Sequence, residues 1–197
     1  MISHSENIIA QTKYWLQHVV IGLNFCPFAR PVFEQGKIHY QVSDAQSLEC
    51  CLEDLIAEAE RLDTDNAIET TLLIYEHALY DFEDFLDVLE IANDLMCEQG
   101  YESVYQLASF HPDYCFADSD EEDPANYTNR SPYPMFHLIR EQSIEHALAN
   151  YKDPEKNIPE TNVRLARELG LAKMQSKLDQ ALQSTKIAEQ ERGNNRY

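Results

Sequence analysis

The spacing of apolar residues along the chain predicts helices that alternate with strands. Apolar groups recur at helical spacing over residues 5–21 and again from Leu48 to Leu62. Residues 37–42 alternate apolar and polar side chains, which is typical of a half-buried strand. Residues 68–75 form an almost continuous β-branched and apolar run, which indicates a central strand.

The same alternation continues through the middle of the chain. Asp81 precedes an apolar stripe of helical spacing and can cap that helix, and Gly100 is placed to end it. A third strand is expected over residues 103–110. Long helical crossovers separate these three strands, and such crossovers favour parallel neighbours.

Residues 134–140 allow two predictions. They suit a fourth strand followed by a helix from Ser143 to Tyr151, but Pro134 also suits the first position of one continuous helix. We prefer the strand followed by the helix. The expected fold class is α/β, with a small mixed or parallel sheet of three to four strands, an N-terminal helix and C-terminal helices.

The C-terminal part is expected to hold a linker and two helical segments. Pro154 and Pro159 bracket the linker, and a helix follows over about residues 160–169. We therefore expect one domain over residues 1–170 and a helical tail over residues 171–197 whose end frays. A thin apolar stripe on the tail would suit a homodimer through this helix.

Charge is distributed unevenly along a chain whose formal net charge is −20. Residues 44–123 hold 24 acidic residues and one basic residue, Arg61. Such a segment repels polyanions, so we expect binding neither to nucleic acid nor to anionic membranes. A small anionic molecule is still allowed near local arginines, because salt screens charges beyond about 8 Å.

Composition and cysteine usage predict a cytoplasmic protein. No apolar run approaches the ~20 residues of a membrane-spanning helix, and the N-terminus lacks the pattern of a signal peptide. Five cysteines, an odd number, argue against a disulfide framework. Only five glycines and no glycine-rich motif are present, so a nucleotide cofactor is not expected and any other cofactor is unknown.

Three segments contain no acidic residue, namely 7–33, 103–112 and 124–140. Buried core is also poor in acids, yet these segments hold most of the candidate reactive groups. We expect these groups to converge on one cavity with an excess of positive charge. The candidate residues are Asn24, Cys26, Arg30, His111, Asn129, Arg130, Ser131, Tyr133, His137 and Arg140.

Three of these residues are candidates for catalysis. Cys26 lies beside a helix terminus, where it is either a nucleophile whose pKa is lowered or an unreactive residue in the wall of the site. His111 directly follows the third strand, and the carboxyl ends of parallel strands line ligand crevices. His111 and His137 would exchange protons near neutral pH.

The other candidates would hold an anionic substrate. Arg130 and Arg140, with Arg30 as a third, can bind carboxylate or phosphate in a bidentate manner. Asn24, Asn129, Ser131 and Tyr133 would add hydrogen bonds. The resulting hypothesis is a small-molecule enzyme of the hydrolase or transferase type.

Two alternatives stay open beside the enzyme. The first is a non-catalytic module that senses a metabolite or binds an acidic partner protein. The second is a zinc or iron site that uses His111 and His137 with Cys26, Cys115 or Glu141.

Four long segments, GLNFCPFAR, IETTLLIY, QLASFHPDYCFA and TNRSPYPMFHLIRE, occur in this order along the chain. They resemble the bacterial domain-of-unknown-function family 1415, from about Trp15 to Gly170. The resemblance implies no established activity. Two positions depart from the family pattern, Asp118 where a small residue such as Gly is usual and Thr161 where an Arg is usual. The family's signature segments include Cys26, His111, Arg130, His137 and Arg140.

Overall fold

The structure is a computed structural model that describes residues 3–149 and 154–194, with side chains described for 3–149 and 157–185. The α-helices are α1 (His4–Trp15), α2 (Ala29–Glu34), α3 (Leu48–Thr64), α4 (Phe82–Glu98), α5 (Glu141–Leu148), α6 (Pro154–Leu169) and α7 (Leu171–Asn194). The strands are β1 (Ile38–Ser43), β2 (Thr70–Tyr75), β3 (Tyr105–Phe110) and β4 (Met135–Arg140). A π-helical turn (Leu16–Val20) follows α1, and a 3₁₀ helix (Pro124–Thr128) precedes β4.

The four strands form one mixed sheet in the order β1-β2-β4-β3. β1 and β2 are parallel, as the helical crossover between them predicts. β4 lies between β2 and β3 and is antiparallel to both, so the expected parallel pairing of β2 with β3 is wrong. The chain enters β4 from a loop and a 3₁₀ helix rather than from a crossover helix, and it therefore runs back in the opposite direction.

Each face of the sheet carries its own core. α3 and α4 cover one face, where Leu73, Tyr75 and Phe136 are fully buried. α1, the π-helical turn, α6 and α7 cover the other face, where Trp15 and Met135 are buried. β2 is buried along its whole length between the two layers, which confirms it as a central strand.

The boundaries of α4 follow the sequence closely, whereas α2 was not predicted. Asp81 caps α4 by accepting hydrogen bonds from the backbone N–H groups of Glu83 and Asp84. Gly100 follows α4 with a φ of +83°, a left-handed conformation that favours glycine. The predicted N-terminal helix changes its winding at residue 16, where the backbone continues as the π-helical turn.

The region after β3 confirms one prediction and corrects another. β4 followed by α5 is confirmed and the continuous helix is wrong, while Tyr151 lies outside the described residues. The expected linker is wrong, because α6 begins at Pro154 and contains Pro159. α6 packs against the 3₁₀ helix, where Ala166 is fully buried and Arg167 pairs with Asp123 at 2.6 Å.

The apolar stripe of α7 is covered within the chain. Met174 and Ala181 are buried, and α7 packs along α1. A homodimer through this helix, and the division of the chain at residue 170, stay predictions. In the part of the chain that the structure describes, no helix combines the length and the apolar character needed to cross a bilayer.

Candidate functional site

A cavity of about 410 Å³ lies between the sheet and the helices on the α1 side. Its floor is built from two rows of side chains that cross the sheet in register. The outer row comprises Ile38, Thr70, Ile139 and Gln106, and the inner row contributes Leu72, His137 and Ala108.

The cavity exists because the sheet is covered unevenly. The third row of the same face, which includes Ile74, Met135 and Phe110, is packed against Trp15 and its neighbours. Over the first two rows the cover comes from the π-helical turn, from the short helices α2 and α5 and from the turn before α2. Thr70 and Ala108 are small, so space remains beneath these helices.

The walls of the cavity are mainly apolar, and the polar groups are few. The apolar wall comes from the end of α1, the π-helical turn, the turn before α2, α2 itself and α5. Its residues include Trp15, Leu16, Val20, Phe28, Val32, Ile144 and Ala147. The polar or reactive side chains that line the cavity are those of Cys26, Glu69, Thr70, Gln106, His137 and Ser143.

The imidazole of His137 is fixed in one tautomer by its neighbours. The hydroxyl of Thr70 donates a hydrogen bond to the carbonyl oxygen of Leu138 at 2.5 Å. That hydroxyl must therefore accept from His137 Nε2, which lies 2.7 Å from it. Nε2 carries the proton and Nδ1 keeps its lone pair. Burial lowers the pKa of His137 to about 4, so the ring is neutral at physiological pH.

Cys26 lies in the turn before α2 and lines the same cavity. Burial raises the pKa of its thiol, and the backbone N–H groups of Phe28 and Ala29 counter this effect only in part. The group is therefore a thiol rather than a thiolate at neutral pH.

Glu69 and Ser143 form a hydrogen-bonded pair at the polar edge of the cavity. The hydroxyl of Ser143, on α5, donates a hydrogen bond to Glu69 Oε1. Glu69 immediately precedes β2, and its backbone N–H bonds to the carbonyl of Lys37 at 2.8 Å. The contact therefore ties the start of α5 to the edge of the sheet where β1 and β2 begin.

The comparisons with known proteins bear on the family alone. The model of the DUF1415 family, described as a protein of unknown function, matches residues 7–176. The chain belongs to the DUF1415 family. Neither the curated proteins nor the solved structures include a match. The resemblance drawn from the four sequence segments is thus confirmed, and membership assigns no activity.

Cys26 and His137 of this family member line one cavity, but His111 lies elsewhere. His111 follows β3 on the opposite face of the sheet, fully buried against Phe82 and Phe85 of α4. Its Nε2 donates to the carbonyl of Leu79 at 2.9 Å, and its Nδ1 accepts from the N–H of Asp113 at 3.0 Å. Both nitrogens are used by the backbone, and burial lowers the pKa of the ring.

The guanidinium of Arg130 is engaged by the loop that precedes β4. It donates to the carbonyls of Tyr114 and Glu121, each at 3.0 Å, and stacks over the ring of Tyr127 at 4.7 Å. The carbonyl of Arg130 itself accepts from Trp15 Nε1. Arg130 therefore organises the loop and does not line the cavity.

Arg140 closes the turn between α3 and β2. Its Nη2 donates to the carbonyls of Leu62 at 2.5 Å and Ile68 at 3.2 Å, and its Nη1 lies 3.4 Å from the hydroxyl of Tyr105. Arg30 is exposed on α2, with its Nη1 3.7 Å from Glu34. Neither arginine lines the cavity.

The smaller polar candidates also serve the backbone or lie apart from the cavity. Ser131 is buried and donates to the carbonyl of Tyr133, whose own hydroxyl donates to Gln11. The side-chain oxygen of Asn129 accepts from Thr128 at 3.0 Å. Asn24 is exposed in a left-handed conformation with a φ of 58°.

Four polar residues of the cavity escape analysis of the sequence, namely Glu69, Thr70, Gln106 and Ser143. Thr70 and Gln106 lie on predicted strands, and the period of two places them on the same strand face as Leu72 and Ala108. That signal shows which face they share but not that the face is open. Among the described residues, no group of three or more His, Cys, Asp or Glu side chains is arranged to hold a metal ion.

Proposed function

We propose that this protein binds a small, mainly apolar molecule in the cavity between the sheet and helices α1, α2 and α5. One observation carries the proposal, a space of about 410 Å³ with an apolar wall and few polar groups. Ligand sites of proteins have this size and composition, with polar groups that orient a largely apolar ligand. An apolar molecule would gain about 25 cal/mol for each Å² it removes from water there.

The chemistry of the cavity favours binding over catalysis. A general base works best when its pKa is near the working pH, and the pKa of His137 is about 4. A cysteine attacks as a thiolate, and burial raises the pKa of Cys26. An ion pair of thiolate and imidazolium would place two charges in an apolar space, so both groups are neutral there.

The hypothesis of an enzyme that holds an anion with arginines stays a prediction. It has less support than apolar binding, because the guanidinium groups of Arg130 and Arg140 already donate to backbone carbonyls. A cytoplasmic location remains part of the proposal, since the five cysteines are free thiols.

The only tryptophan of the chain, Trp15, lines the cavity and can report on binding. We expect 1-octanol, a neutral apolar probe, to change the emission of Trp15 in a saturable manner. Ala108→Phe places a ring on the cavity floor and should weaken binding of the probe about tenfold or more. Ala57→Phe, on the exposed side of α3, is the matched control and should bind as the wild type does.

Two outcomes would contradict the proposal. The first is the absence of a saturable change in the wild type, by fluorescence and by calorimetry. The second is unchanged binding in a folded Ala108→Phe variant. Circular dichroism of each variant shows whether the fold is retained.

A further inference from the structure

We propose that the molecule bound in the cavity carries a neutral or cationic hydrogen-bond donor, a hydroxyl or an ammonium group, and not a carboxylate or phosphate. This inference rests on the proposed function and names the polar end of its ligand. Two acceptors that line the cavity, the imidazole of His137 and the carboxylate of Glu69, carry it.

The imidazole is an acceptor because of the hydrogen bonds around it. Thr70 donates its only hydroxyl proton to the carbonyl of Leu138. In the contact between the two side chains, His137 Nε2 is therefore the donor and the hydroxyl of Thr70 is the acceptor. The other ring nitrogen is then a lone-pair acceptor, and no described residue donates a hydrogen bond to it. A ligand with a hydroxyl or amine hydrogen would satisfy it, whereas a carboxylate would leave it unpaired.

The carboxylate of Glu69 also favours a ligand that donates hydrogen bonds. Ser143 donates to one of its oxygens, and a carboxylate has acceptor sites for more than one donor. None of the described residues that line the cavity is a lysine or an arginine. An anionic head beside Glu69 would meet repulsion that the apolar wall strengthens, while an ammonium head would be attracted.

The charge of the whole chain favours the same class of ligand. The formal net charge of −20 repels anions at a distance and attracts cations. This general field has to be separated from the local action of Glu69. The separation requires two variants that each remove one negative charge, one at the cavity and one remote from it.

Three probes with the same eight-carbon chain provide the test, namely 1-octanol, octylammonium and octanoate. Their apolar parts are identical, so differences in affinity report the head group. We expect octylammonium and 1-octanol to bind wild-type protein, and octanoate to bind at least tenfold more weakly than either. Emission of Trp15 and titration calorimetry both measure this difference.

Two substitutions then locate the preference. Glu69→Gln keeps an acceptor for Ser143 but removes the charge, and it should weaken octylammonium about fivefold or more while leaving 1-octanol unchanged. Glu60→Gln removes a charge from the exposed side of α3, on the other face of the sheet, and should change neither probe by more than about twofold.

The possible failures are distinguishable. If none of the three probes binds, the proposed function fails and this inference fails with it. If octanoate binds as tightly as the other two, the cavity binds ligands but the inference about the head group is overturned. Equal effects of the two substitutions on octylammonium binding would mean that the preference for a cationic head group comes from the net charge of the protein. Glu69 would then have no specific role.

Discussion

The stability of the folded protein should depend on pH through His137. Replacing this residue by glutamine, His137→Gln, retains a side-chain N–H that can donate to Thr70 but removes the titrating group. The wild type should therefore lose more stability on acidification than the variant does. The difference between the two proteins isolates one side chain, because His111 and the other titrating groups are common to both.

The magnitude follows from the shift of one pKa. Burial takes the pKa of His137 from 6.5 to about 4, and each unit corresponds to about 1.4 kcal/mol. Because the folded pKa is the lower one, the unfolded chain binds the proton more strongly at intermediate pH. The contribution to stability is therefore complete above the unfolded pKa and is lost as the pH falls from about 6.5 towards 4. At pH 5 the loss is about 2 kcal/mol, and it approaches about 3 kcal/mol at lower pH.

Urea unfolding followed by circular dichroism measures this difference. The free energy of unfolding is determined for both proteins at pH 7 and at pH 5. We expect the wild type to lose about 2 kcal/mol more than His137→Gln between the two conditions. A difference below about 0.5 kcal/mol would refute the reasoning, because it would mean that water hydrates the imidazolium in the folded protein. A cavity wet enough to do so would be a poor site for an apolar ligand.

Two further substitutions test residues that the structure places outside the cavity. His111→Leu leaves the carbonyl of Leu79 and the N–H of Asp113 without partners, so it should lower the free energy of urea unfolding by about 2–4 kcal/mol; a loss below about 1 kcal/mol would contradict the backbone role. Arg140→Met removes the charged donors to the carbonyls of Leu62 and Ile68 and should lower the same quantity by about 2–3 kcal/mol, with 1-octanol and octanoate binding unchanged within about twofold. Unchanged stability with loss of octanoate binding would restore the anion-binding role predicted for Arg140 from the sequence.

Local patterns in the sequence are sufficient to predict several of the separate elements, although α2 and the first turn of α6 are missed. The apolar run of β2, the Asp81 cap and the stop at Gly100 each depend on a few neighbouring residues, and each prediction is confirmed. The place of β4 in the sheet depends instead on which distant strand it pairs with. A strand has the same period of two at any position in a sheet, so its sequence does not report its neighbours.

The candidate site is harder to predict than the fold, because several residues that the sequence predicts for it have partners that leave no trace in the sequence. Arg130 and Arg140 look like anion ligands, yet they donate to main-chain carbonyls, and every residue type supplies such a carbonyl. The acid-free segments contain buried loops as well as cavity residues, since both environments are poor in carboxylates. A search for acid-free segments therefore misses Glu69, which is acidic and lies outside them although it lines the cavity.

The insertion of β4 also explains why the cavity opens at an unexpected edge of the sheet. In a wholly parallel sheet, ligands bind beyond the carboxyl ends of the strands, and His111 follows β3 at that edge. β4 runs in the opposite direction, so its carboxyl end pairs with the beginnings of β2 and β3. α5 follows β4 without a linker, and it therefore covers the edge where the parallel strands begin. His137 faces that covered space because it lies three residues before the end of β4, opposite Leu72 and Ala108 in the sheet. One reversed strand thus moves the candidate site away from His111 and brings His137 into contact with the cavity.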